Sequence, residues 1–301
     1  MAEEWGYMQS DGPHTWFKNF PIVAGTRQSP VNIVSKESIH DTSLATNPMT
    51  ISYRTETNMV VKNSGHSIQA DASQESVIFG GPLSGKYRLQ QFHLHWGTTD
   101  DVGSEHTIDG TSCSGELHLV HYNYEKYKTF AEAIDKADGL AVFGVMVTIG
   151  KEHAGFKHIT DLSCNIRQKG QSTRLLVPFN PTCLLPDDTS RYWTYMGSLT
   201  TPPLYESVTW IVFSTKIHIS REQLDSLRSL RNNEQGGEPI GNNYRPPLPL
   251  GDRKIRCSFK KRTKTCLNVP EMSGACYLVV GAVVVVAAAV VTGFLHHLKV
   301  F

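Results

Sequence analysis

Apolar and polar positions alternate in short runs along this chain. In QFHLHWG, Phe92, Leu94 and Trp96 interleave with Gln91, His93 and His95, the period of two expected of a strand whose faces differ. ELHLVHYN repeats the pattern and sets His118 and His121 on opposite faces. Strand-like runs of this kind, Gly/Pro punctuation and a scarcity of long amphipathic stretches predict a mainly β (α+β) fold. About 255 residues suffice for one domain without division. TFAEAIDKADG and SREQLDSLRSLRNN are the helix candidates, the second with Ser220 as N-cap and Leu224, Leu227 and Leu230 at helical spacing.

The pattern changes after that domain. Arg253, Lys254, Arg256, Lys260, Lys261, Arg262 and Lys264 crowd its end, and Ala275 to Leu295 is a run of 21 residues without a charge. As a helix that run would be about 31 Å long, matching a hydrocarbon core of about 30 Å. The organisation expected is therefore a domain over 1–260, a basic juxtamembrane linker over 261–274, a transmembrane helix over 275–295 and a short tail over 296–301. MAEEWGYMQSDGP has neither a basic n-region nor an apolar h-region, so it does not read as a signal peptide. With the basic cluster before the span, the positive-inside rule puts the large domain on the cytosolic side of a C-terminal anchor. The same cluster is a candidate contact for anionic lipid or a glycosaminoglycan. The net charge of +1 says little about partners; no nucleic-acid partner is expected.

Six cysteines, Cys113, Cys164, Cys183, Cys257, Cys266 and Cys276, form no dense framework, and no Asn-x-Ser/Thr acceptor free of proline at x occurs. Both features fit a reducing, cytosol-facing compartment.

The chemistry-bearing pattern is histidine. His93 and His95 share one strand face, and His118 lies 23 residues beyond His95, the arrangement of three imidazoles across two neighbouring strands. Three neutral nitrogens around one ion leave a fourth tetrahedral position for water, as in a catalytic zinc site. Gln91, Glu105 and Glu116 are polar groups in or near apolar strands and need partners if buried. His121, on the face opposite His118, reads as a core residue.

From about Trp5 to Phe259 the chain resembles an alpha-class carbonic anhydrase of the vertebrate type. WGY, RQSPVNI, NSGHS, YRLQQFHLHWG, GSEHTIDG, ELHLVHYN, DGLAVFGV, YWTYMGSLTTPPLYESVTWIV and NYRPPLPL carry the resemblance in order. It implies a large twisted, mostly antiparallel sheet and reversible hydration of carbon dioxide to bicarbonate on Zn2+ held by His93, His95 and His118. It also implies that Thr200 accepts a hydrogen bond from metal-bound hydroxide and donates to Glu105, while Gln91 and Glu116 fix the ligand histidines. Val120, Val142, Leu199, Thr201 and Trp210 would line the substrate pocket. His66 would export the proton along water held by Tyr7, Asn63 and Gln69.

Tyr122, Met196, Ser64 and Gln69 depart from residues common in the family. The cysteine pair of its secreted members is replaced by PIVAGT and PPLYES. A domain of this kind before a C-terminal span also resembles poxviral envelope proteins that bind cell-surface glycosaminoglycans, though known members of that type have lost metal-site histidines. The alternative reading is thus an attachment protein on the outer face of a virion membrane, with or without retained catalysis.

Overall fold

The computed structural model describes residues 5–260 apart from 234 and 236. The linker, the proposed span, the short tail, Cys266 and Cys276 lie outside those residues. Among the described residues no helix is long and apolar enough to cross a membrane.

Ten strands form the main path of a 13-stranded sheet. In chain order they are β1 (Ile39–His40), β2 (Val60–Asn63), β3 (Ile68–Asp71), β4 (Tyr87–Trp96), β5 (Gly115–Asn123), β6 (Leu140–Ile149), β7 (Ser172–Arg174), β8 (Tyr192–Gly197), β9 (Val208–Phe213) and β10 (Arg256–Cys257). Their order across the sheet is β7-β2-β3-β4-β5-β6-β9-β8-β10-β1. Most neighbours are antiparallel, as expected. The β6–β9 and β10–β1 pairs are parallel, so the sheet is mixed.

Register places the site. His93 pairs with His118 and His95 with Glu116; Val120 pairs with Val142, and Val142 with Trp210. Paired residues share a face, so one side of the sheet carries His93, His95, Glu116, His118, Val120, Val142 and Trp210. The intervening residues Phe92, Leu94, Trp96, Leu117, Leu119, Phe143 and Ile211 fill the large core behind it. At about 25 cal/mol per Å2 of apolar surface removed from water, a core of this size is the rigid backing that fixes the histidine-bearing strands. His121 belongs to that core, where its Nε2 lies 2.7 Å from the Tyr53 hydroxyl and its Nδ1 lies 3.1 Å from the Ala141 carbonyl.

The second helix candidate forms over Arg221–Arg228, with Ser220 and Gln223 in a capping box. Leu224 and Leu227 are buried on its inner face, and Leu230 is buried just past its end. The first candidate is shorter than its pattern, a single turn over Phe130–Ala133. Gly139 then folds back on it so closely that a Cβ there would sit 1.8 Å from the Ala133 carbonyl oxygen. Cys113, Cys164, Cys183 and Cys257 are free thiols.

Candidate active site

Strands β4 and β5 bring the three histidines together, with ring centroids 5.0, 5.2 and 4.6 Å apart. His95 and His118 are buried and His93 is partly exposed, so access is from the His93 side. Each ring is held from behind. His93 Nδ1 lies 2.9 Å from Gln91 Oε1, His95 Nδ1 lies 2.7 Å from the Asn243 carbonyl, and His118 Nε2 lies 2.9 Å from Glu116 Oε1. All three partners are acceptors, so those ring nitrogens carry the protons.

The lone pairs therefore sit on His93 Nε2, His95 Nε2 and His118 Nδ1, and the ligand atoms of this group lie within 4.8 Å of one another. His95 Nε2 and His118 Nδ1 approach to 3.1 Å. With both protons directed outward, two lone pairs face each other at that distance, a repulsive contact that a cation between them reverses. Burial, then the neighbouring histidines, pushes His93 well below its usual range. For His95 burial is again the leading cause of a lowered value. Neutral imidazoles are the form a metal requires, so the donor set fits a zinc-type ion.

Glu116 anchors the second layer. Its Oε2 accepts from the amides of Glu105 and His106 at 2.9 and 2.7 Å, and its Oε1 also meets His106 Nδ1 at 2.7 Å. Burial opposes its charge, but His106 and His118 outweigh burial and hold this carboxyl well below the usual range. Beyond it, His106 Nε2 meets the Tyr195 hydroxyl, which donates to Ser29. His106, Glu116 and His118 also cluster closely enough to hold a metal, but Glu116 already serves as the shared acceptor of both rings. Gly144 makes room for it, since a Cβ there would stand 2.9 Å from Glu116 Oε1. Gly144→Ala is expected to displace that carboxylate and weaken metal binding about 10–100-fold, the usual effect of losing an outer-shell partner. Competition against a fluorescent chelator would read the shift, and an unchanged affinity would refute the role given to Glu116.

Glu105 is fully buried. Its Oε1 accepts from the Arg245 amide at 2.8 Å, while Oε2 has no hydrogen-bond partner. The donation expected from Thr200 is therefore not formed at Oε2. That oxygen is directed toward the metal-ligand cluster, 3.9 Å from His118 Nδ1. Thr200 is itself buried, in the turn after β8, where Leu199 N donates to the Tyr205 carbonyl and Leu204 N to that of Thr201. Val120, Val142 and Trp210 form a buried apolar row beside His118. Leu199 and Thr201 are partly exposed at its edge. Trp210 is fixed by donation from Nε1 to the Ser198 carbonyl, and its ring lies 4.8 Å from that of His118.

His66 stacks on Trp5 with centroids 3.9 Å apart and planes 9° from parallel. Burial, then the Lys169 charge, pulls its pKa down to about 4, against a smaller opposing effect of Asp11. Tyr7 lies nearby with its ring 6.4 Å from that of His66; burial, then Glu105, pushes its phenol well above the usual value. Asn63 corrects the expectation placed on it. It is buried, and its side chain is used on Gly65 N, the Arg167 carbonyl and the Arg231 carbonyl, so no amide proton is left to hold a water chain. Gln69 donates to Asp71 and stays partly exposed. The departures Tyr122 and Met196 pack on Phe130 and at the surface respectively.

Sequence reasoning missed Trp5, His106, Arg245 and Asn243. His106 stands inside the quoted GSEHTIDG, next to Glu105. The contact of Asn243 with His95 spans 148 residues and carries no spacing signal.

Residues 11–259 match the eukaryotic-type carbonic anhydrase family. The chain is 49% identical over 261 residues to carbonic anhydrase 7 of Homo sapiens, covering 85% of this chain and 97% of that protein. It is 46% identical over 263 residues to carbonic anhydrase 1 of Mus musculus, covering 86% and 99%. With three histidines grouped closely enough to hold a metal on neighbouring strands of a mixed sheet, the chain belongs to the eukaryotic-type carbonic anhydrases and is an enzyme of that family.

Proposed function

We propose that the protein reversibly hydrates carbon dioxide to bicarbonate and a proton, with zinc held by His93, His95 and His118. One observation carries the reading: three outward-directed N–H groups leave three converging lone pairs, two of them 3.1 Å apart. When bound, zinc lowers the pKa of a water so that hydroxide is available near neutral pH, an effect for which carbonic anhydrase is itself the reference case.

The chain's own residues supply the rest. Gln91, the Asn243 carbonyl and Glu116 hold the three tautomers. Carbon dioxide has no charge to grip, and the buried row of Val120, Val142 and Trp210 offers it an apolar wall while keeping bulk water off that side. Thr200 would orient the attacking oxygen and would need an acceptor for its hydroxyl proton; Glu105 Oε2, buried and without a partner, is the acceptor proposed. Stopped-flow hydration by residues 1–260, with and without a chelator, tests the proposal. Activity that survives metal removal would refute it, as would an active enzyme indifferent to aromatic sulfonamides, whose anionic nitrogen is a ligand for the same ion.

His66 is proposed to carry the proton out. Its ring stacks on Trp5, and burial, then the Lys169 charge, pulls its pKa down to about 4; movement of the ring toward solvent would bring it back toward 7, the best range for a carrier at neutral pH. His66→Ala is expected to lower kcat about tenfold or more and to leave kcat/KM unchanged, because the proton leaves after carbon dioxide is converted. Imidazole buffer should restore part of the loss. A parallel fall in kcat/KM would make His66 structural.

For localisation we propose an anchor at 275–295 with the domain facing the cytosol, supported by the 21 uncharged residues and the basic cluster before them. Protease digestion of the domain in cells opened only at the plasma membrane is the expected result, and a protected domain would reverse the orientation. The attachment alternative, with glycosaminoglycan or anionic lipid as partner, rests on the basic run. Loss of heparin retention on mutating Lys260 and Lys261 to alanine would support it.

A further inference from the structure

The shuttle role proposed for His66 requires its ring to move while its backbone stays put, and the structure shows both ends of its peptide tethered. The His66 amide donates to Ser64 Oγ at 3.2 Å, and Ser64 Oγ also receives the Ser67 amide at 3.0 Å. On the other side, Asn243 Nδ2 donates to the His66 carbonyl at 2.8 Å and to the Leu94 carbonyl at 3.3 Å. Asn243 Oδ1 accepts from the Trp96 amide at 2.7 Å, and its main-chain carbonyl holds His95.

Leu94 and Trp96 flank His95 on β4. A single buried amide, 1% exposed, is therefore fixed to the strand that carries two of the metal ligands and to the loop that carries His66. Because it is buried, each of these bonds resists breaking without replacement by water. A cavity of about 270 Å3, lined by Trp5, Lys169, Asn232 and Asn243, borders the His66 ring. The ring has space to move while its peptide does not.

We infer that the Asn243 side chain is a positioning residue that registers the His66 loop against the metal-bearing strand, so that the swinging imidazole always starts from the same distance. The inference rests on the proposed shuttle role of His66. Asn243→Ala removes the side-chain bonds and keeps the carbonyl that holds His95. In zinc-loaded protein we expect kcat to fall about tenfold with kcat/KM unchanged, below the roughly hundredfold that a 1 Å misplacement can bring. In the His66→Ala background the same change should lower kcat no further, since coupled residues are non-additive. In the metal-free protein the amides of Gly65 to Ser67 should exchange hydrogen faster than in the parent.

A joint fall of kcat and kcat/KM would overturn the inference, as would a full additive loss in the His66→Ala background or unchanged amide exchange. If Asn243→Ala fails to fold, Ser64→Ala removes the opposite tether, and its kcat must fall with kcat/KM intact for the inference to stand. If His66→Ala alone leaves kcat unchanged, the shuttle role fails. The exchange measurement then still decides whether Asn243 holds the loop.

Discussion

His118→Ala is expected to abolish stoichiometric zinc binding and, with it, carbon dioxide hydration. The loss of an outer-shell partner typically weakens a site about 10–100-fold, and a direct ligand contributes more, because two imidazoles cannot close the tetrahedral geometry. The fold should survive. Glu116 would lose His118 Nε2 but keep His106 and two backbone amides, so no buried carboxylate is orphaned. Zinc should raise the melting temperature of the parent, since it binds only the native state, and leave that of the variant unchanged. Metal analysis after gel filtration checks the first claim and calorimetry with added chelator the second. One zinc per chain retained by His118→Ala would overturn the ligand assignment.

What the sequence revealed here, and what it hid, divides along physical lines. His93, His95 and Glu116 were legible because strand alternation fixes which side chains share a face, and the cross-strand register then confirmed His118 as a neighbour. Ser220 was legible because a cap acts locally on its own helix. Contacts made by backbone atoms across long loops were not. Asn243 holds His95 through its carbonyl, which any residue type possesses, so no residue pattern announces it. Asn63 departs from its expected role for a related reason: its amide points back into turns at Gly65, Arg167 and Arg231, and a motif does not say which way a side chain turns. The parallel β6–β9 seam was likewise hidden, because a strand's alternation is the same whichever direction its neighbour runs.

Glu105→Gln separates orientation of the attacking oxygen from metal binding. In the parent, Oε1 is fixed by the Arg245 amide and Oε2 is left as a buried acceptor without a donor. The glutamine would keep its oxygen on the Arg245 amide, the only arrangement that satisfies that N–H, and so must place its NH2 where Oε2 stood. If Oε2 is the acceptor proposed for Thr200, that hydroxyl could then no longer give its proton there and would have to turn, spoiling its use as an acceptor for the attacking oxygen. Removal of one preorganised hydrogen-bonding partner of a reacting oxygen typically lowers turnover about 10²–10³-fold, and we expect kcat/KM to fall by that amount. Zinc affinity should change by less than about tenfold, since Gln91, the Asn243 carbonyl and Glu116 still orient the ligand rings. The variant is isosteric and introduces no cavity, so its unfolding midpoint should stay near that of the parent. Stopped-flow hydration on zinc-loaded protein, paired with chelator competition, gives both quantities from one preparation. A Glu105→Gln enzyme with parental kcat/KM would show that the unpartnered oxygen has no part in the reaction.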